Sequence, residues 1–243
     1  MSDIVRTLAV VQHTSSEYLG LMEDHLEGRR IRFRYFRPFT AGGRLPTPAE
    51  AAGGLVLLGG GPWGVAPGAR RLPSLDAELE LTAAALAANT PVIGMGLGAQ
   101  ILALAAGGAA ESAPLAFEVA TACSVAPEAL GGLLPGRYPL VRYGRDEVSL
   151  PAAARVLARD PRDSAALFQL GEHAFGFSGH PGVKSAIIED LVMEFPESPP
   201  ETAAQLTALR RQQPALEAAL VPIMTGLTRS LRLMAPAPCG GAE

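Results

Sequence analysis

The sequence predicts a doubly wound α/β fold, with a mostly parallel sheet and a small antiparallel layer. Three observations carry this prediction. Compact apolar runs at Thr7–Gln12, Leu55–Leu58 and Val92–Met95 have the length and composition of buried strands. Each run leads through turn residues into a stretch with helical spacing, and that alternation places parallel strands side by side with helices on their faces. After Gly107-Gly108 the pattern changes to short extended runs separated by Gly, Pro and Asp, which predicts antiparallel pairing.

The elements follow in order. Thr7–Gln12 is the first core strand, and His13-Thr14-Ser15-Ser16 turns the chain. Tyr18–Leu26 has helical spacing, with Ser15 or Ser16 as its cap. Ile31–Phe36 alternates apolar residues with arginines and reads as an edge-side parallel strand. Leu55–Leu58 runs into Gly59-Gly60-Gly61-Pro62-Trp63-Gly64. Leu75–Ala88 is a helix by periodicity, with Ser74 as its N-cap. Val92–Met95 ends in Gly96-Leu97-Gly98, and a helix over Ala99–Ala106 follows at once. The later extended runs are Phe117–Val125, Tyr138–Arg142, Ala153–Arg159, Ala165–Leu170 and Ala174–Ser178. Across Pro199–Met234, leucines recur on one face at helical spacing, while Pro214 and Pro222 predict breaks or kinks. These helices cover the sheet or pack against a second subunit. Residues 1–234 form one domain, and the Pro/Gly-rich Ala235–Glu243 is expected to be a disordered tail.

Composition narrows the partners. The formal net charge of −4 and the lack of a basic tract argue against nucleic acid. No uninterrupted apolar run is long enough for a bilayer, so no membrane partner is expected. MSDIVRTLAVVQHTSS lacks the pattern of a signal peptide, and a reducing cytoplasm fits the two cysteines, Cys123 and Cys239, which make no disulfide framework. Cys123 reads as core packing. No metal or cofactor is expected.

Chemistry concentrates at Pro91–Gln100, PVIGMGLGAQ. Strand, sharp turn and helix in this order have the shape of a nucleophile elbow. The elbow position is Gly96, which carries no side chain. Strained elbow geometry costs a non-glycine residue about 1–3 kcal/mol, and glycine adopts it far more cheaply. The glycine run Gly59–Gly61 frees backbone N–H groups to face an anion, or else is a tight turn with no ligand. Trp63 is either a pocket wall or a surface plug. His13 could face the pocket from a strand end, though a turn histidine satisfied by backbone is the favoured reading. His180 closes a strand before a helix that opens near Val183.

PVIGMGLGAQILALAAGG resembles the signature of the class I glutamine amidotransferases, a flavodoxin-like family whose strand runs into a G-x-C-x-G-x-Q elbow. The resemblance extends roughly from Val5 to Leu191. VVQHTSSEYLG is similar to a common start of the family, and Glu118 matches a family glutamate. In that family a cysteine attacks the side-chain amide of glutamine, and a His-Pro-Glu segment supplies the base and its orienting carboxylate. Here the cysteine position is Gly96, and the segment reads His180-Pro181-Gly182. The resemblance implies His180 as the candidate base, Gly96 as the vacant nucleophile position, and oxyanion donors on the backbone of Gly60, Gly61 and Leu97. It places Gln100 by the substrate; the other reading is a helix-terminal polar residue. Leu140–Asp146 resembles a stretch that often carries Trp-His-x-Asp, and its Arg142, Tyr143 and Arg145 could reach a ligand carboxylate. Glu172, Glu189 and Asp190 lie close in sequence, but none stands at the family's spacing for the missing glutamate.

Cysteine-dependent glutaminase activity is therefore disfavoured. Three readings follow. The first, narrowly ahead, is a repurposed biosynthetic enzyme acting on an amino-acid-like or γ-glutamyl-like small molecule by acid–base or electrostatic catalysis. The second is a pseudoenzyme that serves as a ligand sensor or as a subunit of a partner enzyme, or a homodimer. The third is residual hydrolysis with water as the nucleophile.

Overall fold

The computed structural model describes residues 6–235, so the tail expected to be disordered lies, beyond Ala235, outside the described residues. In chain order the elements are β1 (Thr7–Val11), α1 (Leu21–Gly28), β2 (Arg32–Phe36), α2 (Pro48–Ala51), β3 (Leu55–Leu57), α3 (Leu75–Ala87), β4 (Val92–Met95) and α4 (Leu97–Ala105). Then follow β5 (Ala109–Glu111), β6 (Ala116–Ser124), α5 (Ala129–Gly132), β7 (Arg137–Gly144), β8 (Glu147–Ser149), β9 (Ala154–Arg159), β10 (Ala165–Leu170), β11 (Ala174–Phe177), α6 (Ser185–Glu194) and α7 (Thr202–Ser230).

One nine-stranded sheet in the order β2-β1-β3-β4-β11-β10-β9-β6-β7 forms the body, with β5 and β8 as a separate antiparallel pair. The first five strands of that order run parallel, and the remaining pairings are antiparallel. The doubly wound α/β fold read from the sequence is therefore the observed one, with two changes. The small antiparallel layer is present as the β5–β8 pair, while the longer antiparallel strands extend the main sheet. Ala174–Phe177, grouped with them by sequence, pairs parallel to β4 and joins the two halves.

The strands' two-residue period divides the core. Leu8, Val10, Val56, Leu58, Ile93 and Met95 face one side, packed with α1 and the C-terminal half of α7. Ala9, Val11, Leu55, Leu57 and Val92 face the other, against α3 and α4. A third cluster, around Tyr143, Ile188, Leu191 and Leu209, packs α6 and the start of α7 over β6 and β7. Cys123 is not in the core: it is exposed, because its neighbour Ala122 takes the inward face of β6.

Two helix expectations need correction. Neither Ser15 nor Ser16 caps α1, which begins after Gly20; their N–H groups donate to the Glu194 carboxylate instead. Pro214 and Pro222 do not divide the C-terminal segment, and α7 runs as one helix of 29 residues. Each proline removes one N–H. The carbonyls left over belong to Arg210 and Ala218, both exposed to water, while Leu209, Leu216, Leu220, Ile223 and Leu227 stay buried on one face. No helix among the described residues is long and apolar enough to cross a membrane.

The β4–α4 junction is packed tightly enough to exclude side chains. A Cβ on Gly98 would fall onto the Leu57 carbonyl of β3. Gly98→Ala should therefore cost about 1–3 kcal/mol, read as a lower urea midpoint at unchanged slope.

Candidate active site

Gly96 adopts φ 53° and ψ −116°, the positive-φ geometry expected of an elbow. Its N–H donates to Phe177 O of β11 (2.9 Å), and the Gly98 N–H donates to Leu58 O beside β3 (3.0 Å). The turn is thus tied to both neighbouring strands. The Gly96 carbonyl accepts from Ala99 and Gln100 and starts α4. Among the described residues the Leu97 N–H takes no hydrogen-bond partner.

From Gly96 a cleft of about 140 Å³ opens toward the antiparallel half of the sheet, lined among others by Trp63, Leu97, Gln100, Arg142, Tyr143 and Ser178. Trp63 is a wall of this cleft. Gln100 faces it as well: its Nε2 donates to the carbonyls of Arg145 (2.7 Å) and Asp146 (3.1 Å), which fixes the amide and leaves Oε1 directed elsewhere. Four buried polar atoms of lining residues have no partner: Gln100 Oε1, Tyr143 OH, Arg145 Nε and Ser178 Oγ. Buried polar atoms are normally paired, and these four exceptions all belong to residues that line one cleft. Burial raises the Tyr143 phenol to about 12, so it stays protonated. Asp146 holds the cleft's shape. Its carboxylate accepts from Val65 N (2.8 Å), Ala66 N (2.9 Å) and Ala113 N (3.2 Å).

Behind Gly96 lies a group that sequence reasoning missed. The buried Glu17 carboxylate accepts from the Gly61 N–H through Oε2 (2.6 Å) and rests against the Cα of Gly59. The backbone donor assigned to an oxyanion is therefore already engaged. The second assigned donor, Gly60, packs its Cα against the Leu97 side chain. Burial pushes the Glu17 carboxyl up to about 7, against the lowering effect of Gly61 and His13.

His180 shares this chamber with Glu17, Gly59, Gly96 and Tyr143. Its Nδ1 accepts from the Gly182 N–H (3.1 Å), so Nε2 carries the proton and donates to Tyr18 O (2.8 Å). Burial lowers its pKa to about 4. The ring is thus a neutral strut between two backbone groups, and no carboxylate orients it. Glu189, one of the carboxylates near it in sequence, pairs instead with Arg210.

His13 is buried beneath the glycine loop and is not satisfied by backbone alone. Its ring nitrogens meet Gly59 O and Glu78 Oε2, each at 2.8 Å. Both partners are acceptors, so the imidazolium fits best. Burial opposes that charge, but Glu78 and the Gly59 carbonyl outweigh it and raise the pKa. Ser74 donates to Glu78 Oε1 (2.6 Å) rather than capping α3. An i to i+65 pairing such as His13–Glu78 leaves no local signal, and neither does the Glu17–Gly61 bond.

No protein-family model and no curated protein matches the chain. Solved structures do. A glutamine amidotransferase from Methylobacillus flagellatus superposes with a TM-score of 0.79 over 98% of this chain and 99% of that one, at 23% identity. A glutamine amidotransferase from Thermotoga maritima gives a TM-score of 0.75 over 95% of this chain and 99% of that chain, at 23% identity. The fold is that of the class I glutamine amidotransferases. A chain of PurLQS from Thermotoga maritima matches at a TM-score of 0.53 and 14% identity, over 94% of this chain and 98% of that one. On this fold Gly96 stands at the strand-to-helix elbow, with Gln100 and Tyr143 lining the cleft on one side of it and Tyr143 and His180 the chamber on the other.

Because the folded state holds the Glu17 proton more tightly than the unfolded chain, stability from this group falls as pH rises from about 4.5 to about 7. Glu17→Gln should therefore be more stable than the native chain at high pH, with the gain shrinking as pH falls through that window. Urea unfolding of both proteins across the range measures the difference, from which groups common to both cancel.

Proposed function

We propose that this chain is a protein of glutamine amidotransferase fold with glycine in place of an elbow cysteine, and that it binds an amino-acid-like small molecule without forming a covalent intermediate. The observation that carries this reading is a cleft with four unpartnered buried polar atoms that ends on a residue with no side chain. Tyr143 OH, Ser178 Oγ and Arg145 Nε can donate to a ligand carboxylate. Gln100 Oε1 can accept from a ligand N–H. Nothing at the elbow can attack a carbonyl carbon, and an activated nucleophile requires a free base beside it. His180 has both ring nitrogens engaged and is held neutral, so it is a poor proton acceptor. The balance therefore moves from acid–base catalysis by His180 to the ligand-binding alternative.

A second reading, a repurposed enzyme, is favoured by one observation. Glu17 presents a buried carboxyl that titrates near neutral pH, which suits proton transfer.

Calorimetry against α-amino acids and γ-glutamyl compounds should find a ligand, and mass spectrometry of the same mixtures should recover it intact. Gln100→Leu and Tyr143→Phe should each weaken it about tenfold, the scale of one lost hydrogen bond to a charged group. Gly96→Cys should not create glutaminase activity, because His180 remains bound to backbone. Turnover of the ligand that disappears in Glu17→Gln would establish the second reading instead.

A further inference from the structure

The chamber behind Gly96 has a volume of about 10 Å³, and Gly96 and Tyr143 line both it and the cleft. Such a space holds one atom of water size. A Cβ on Gly96 would stand 3.5 Å from the Gly59 Cα with no other atom within 4 Å, so the missing side chain leaves a doorway.

The chamber holds one free carboxylate oxygen, and several of the donors nearest to it are already engaged. The Gly61 N–H is consumed by Glu17 Oε2, the Gly182 N–H by His180 Nδ1, and the His180 Nε2–H by Tyr18 O. Leu97, whose N–H is open, lines the cleft and not the chamber. What remains as an acceptor is Glu17 Oε1, which has no hydrogen bond among the described residues; the Tyr143 hydroxyl and the Gly59 and Gly179 N–H groups are the donors that line the same space. The other charged groups facing Glu17 are already engaged. His13 is turned to Gly59 and Glu78, and the Glu194 carboxylate is taken by Ser15 and Ser16.

We infer that this chamber takes the terminal ammonium of the ligand, so that the site selects an ω-amino acid side chain of ornithine or lysine length over the primary amide of glutamine. The inference rests on the reading of the cleft as an amino-acid site. An ammonium ends in a single heavy atom, which fits the space. A primary amide ends in two, more than a space for one atom admits. An ammonium also supplies the charge that Glu17 lacks, through a charge-assisted hydrogen bond. The glycine loop on this scaffold then serves as a cation acceptor, because its own N–H has been spent on holding the acid in place.

The test is calorimetry at about pH 8, where Glu17 is ionised, with L-ornithine, L-lysine, L-norvaline and L-glutamine. Ornithine or lysine should bind about tenfold or more tightly than both norvaline and glutamine, and Glu17→Gln should erase the difference. Equal binding of glutamine or norvaline, or a preference that survives Glu17→Gln, overturns the proposal. If no amino acid binds at all, the reading of the cleft fails, and the chamber is judged separately. In protein labelled with 13C at glutamate Cδ, n-propylammonium should lower the apparent pKa of the Glu17 carboxyl. An unmoved titration overturns the proposal, and this measurement on the native chain also decides if Glu17→Gln does not fold.

Discussion

The structure depends on how closely α4 approaches the sheet. The helix starts one residue after β4 ends, and Gly98 lies against the β3 backbone with no room for a methyl group. Only this contact lets the Gly96 and Gly98 N–H groups bond to the strands on either side. The elbow is thereby fixed by hydrogen bonds across three strands, and the cleft and the chamber are the spaces left on its two sides. A looser junction would merge them.

Around this rigid turn the protein buries an unusual amount of charge. His13, Glu17 and Glu78 all lie out of contact with water, and Gly59 and Gly61 connect them through main-chain groups. Burying ions costs several kcal/mol each unless they are paired and hydrogen-bonded. His13 and Glu78 satisfy that condition between themselves. Glu17 does so only in part, and its raised pKa records the shortfall. An uncompensated charge next to a space for one atom is a poor device for stability and a good one for recognition, where the ligand supplies what is missing.

Much of the fold was legible in the sequence because strands buried in the middle of the sheet leave continuous apolar runs. Val92–Met95 and Ala165–Leu170 have the limits that their composition implies. The elbow was legible for a related reason, since only small residues permit it, and the sequence supplies them at Gly94, Gly96 and Gly98. Pairing direction was less accessible. β11 resembles its antiparallel neighbours in composition, and its parallel register with β4 follows from position in the sheet. The continuity of α7 through two prolines was hidden because burial of one face outweighs local propensity. Of the residues to which the family resemblance pointed, Gln100, Tyr143 and His180 line the spaces beside Gly96, while Gly61 lines neither. The partners that decide their chemistry were not legible: Glu17 on Gly61, Tyr18 and Gly182 on His180. These are contacts between distant segments or to the main chain, and neither kind leaves a periodic mark.

The grip of Asp146 on the backbone of Val65, Ala66 and Ala113 has a consequence for how the domain can be divided. The parallel half, ending with α4, contains the elbow and the glycine loop and could pass for a self-sufficient module. Yet the loop that carries Trp63 is anchored by an acid contributed by the antiparallel half, at the turn after β7. Neither fragment holds the complete lining of the cleft. Circular permutation that keeps both halves in one chain is tolerable, whereas exchanging the antiparallel half for that of another protein would detach the loop from its anchor and alter specificity at a distance from the elbow.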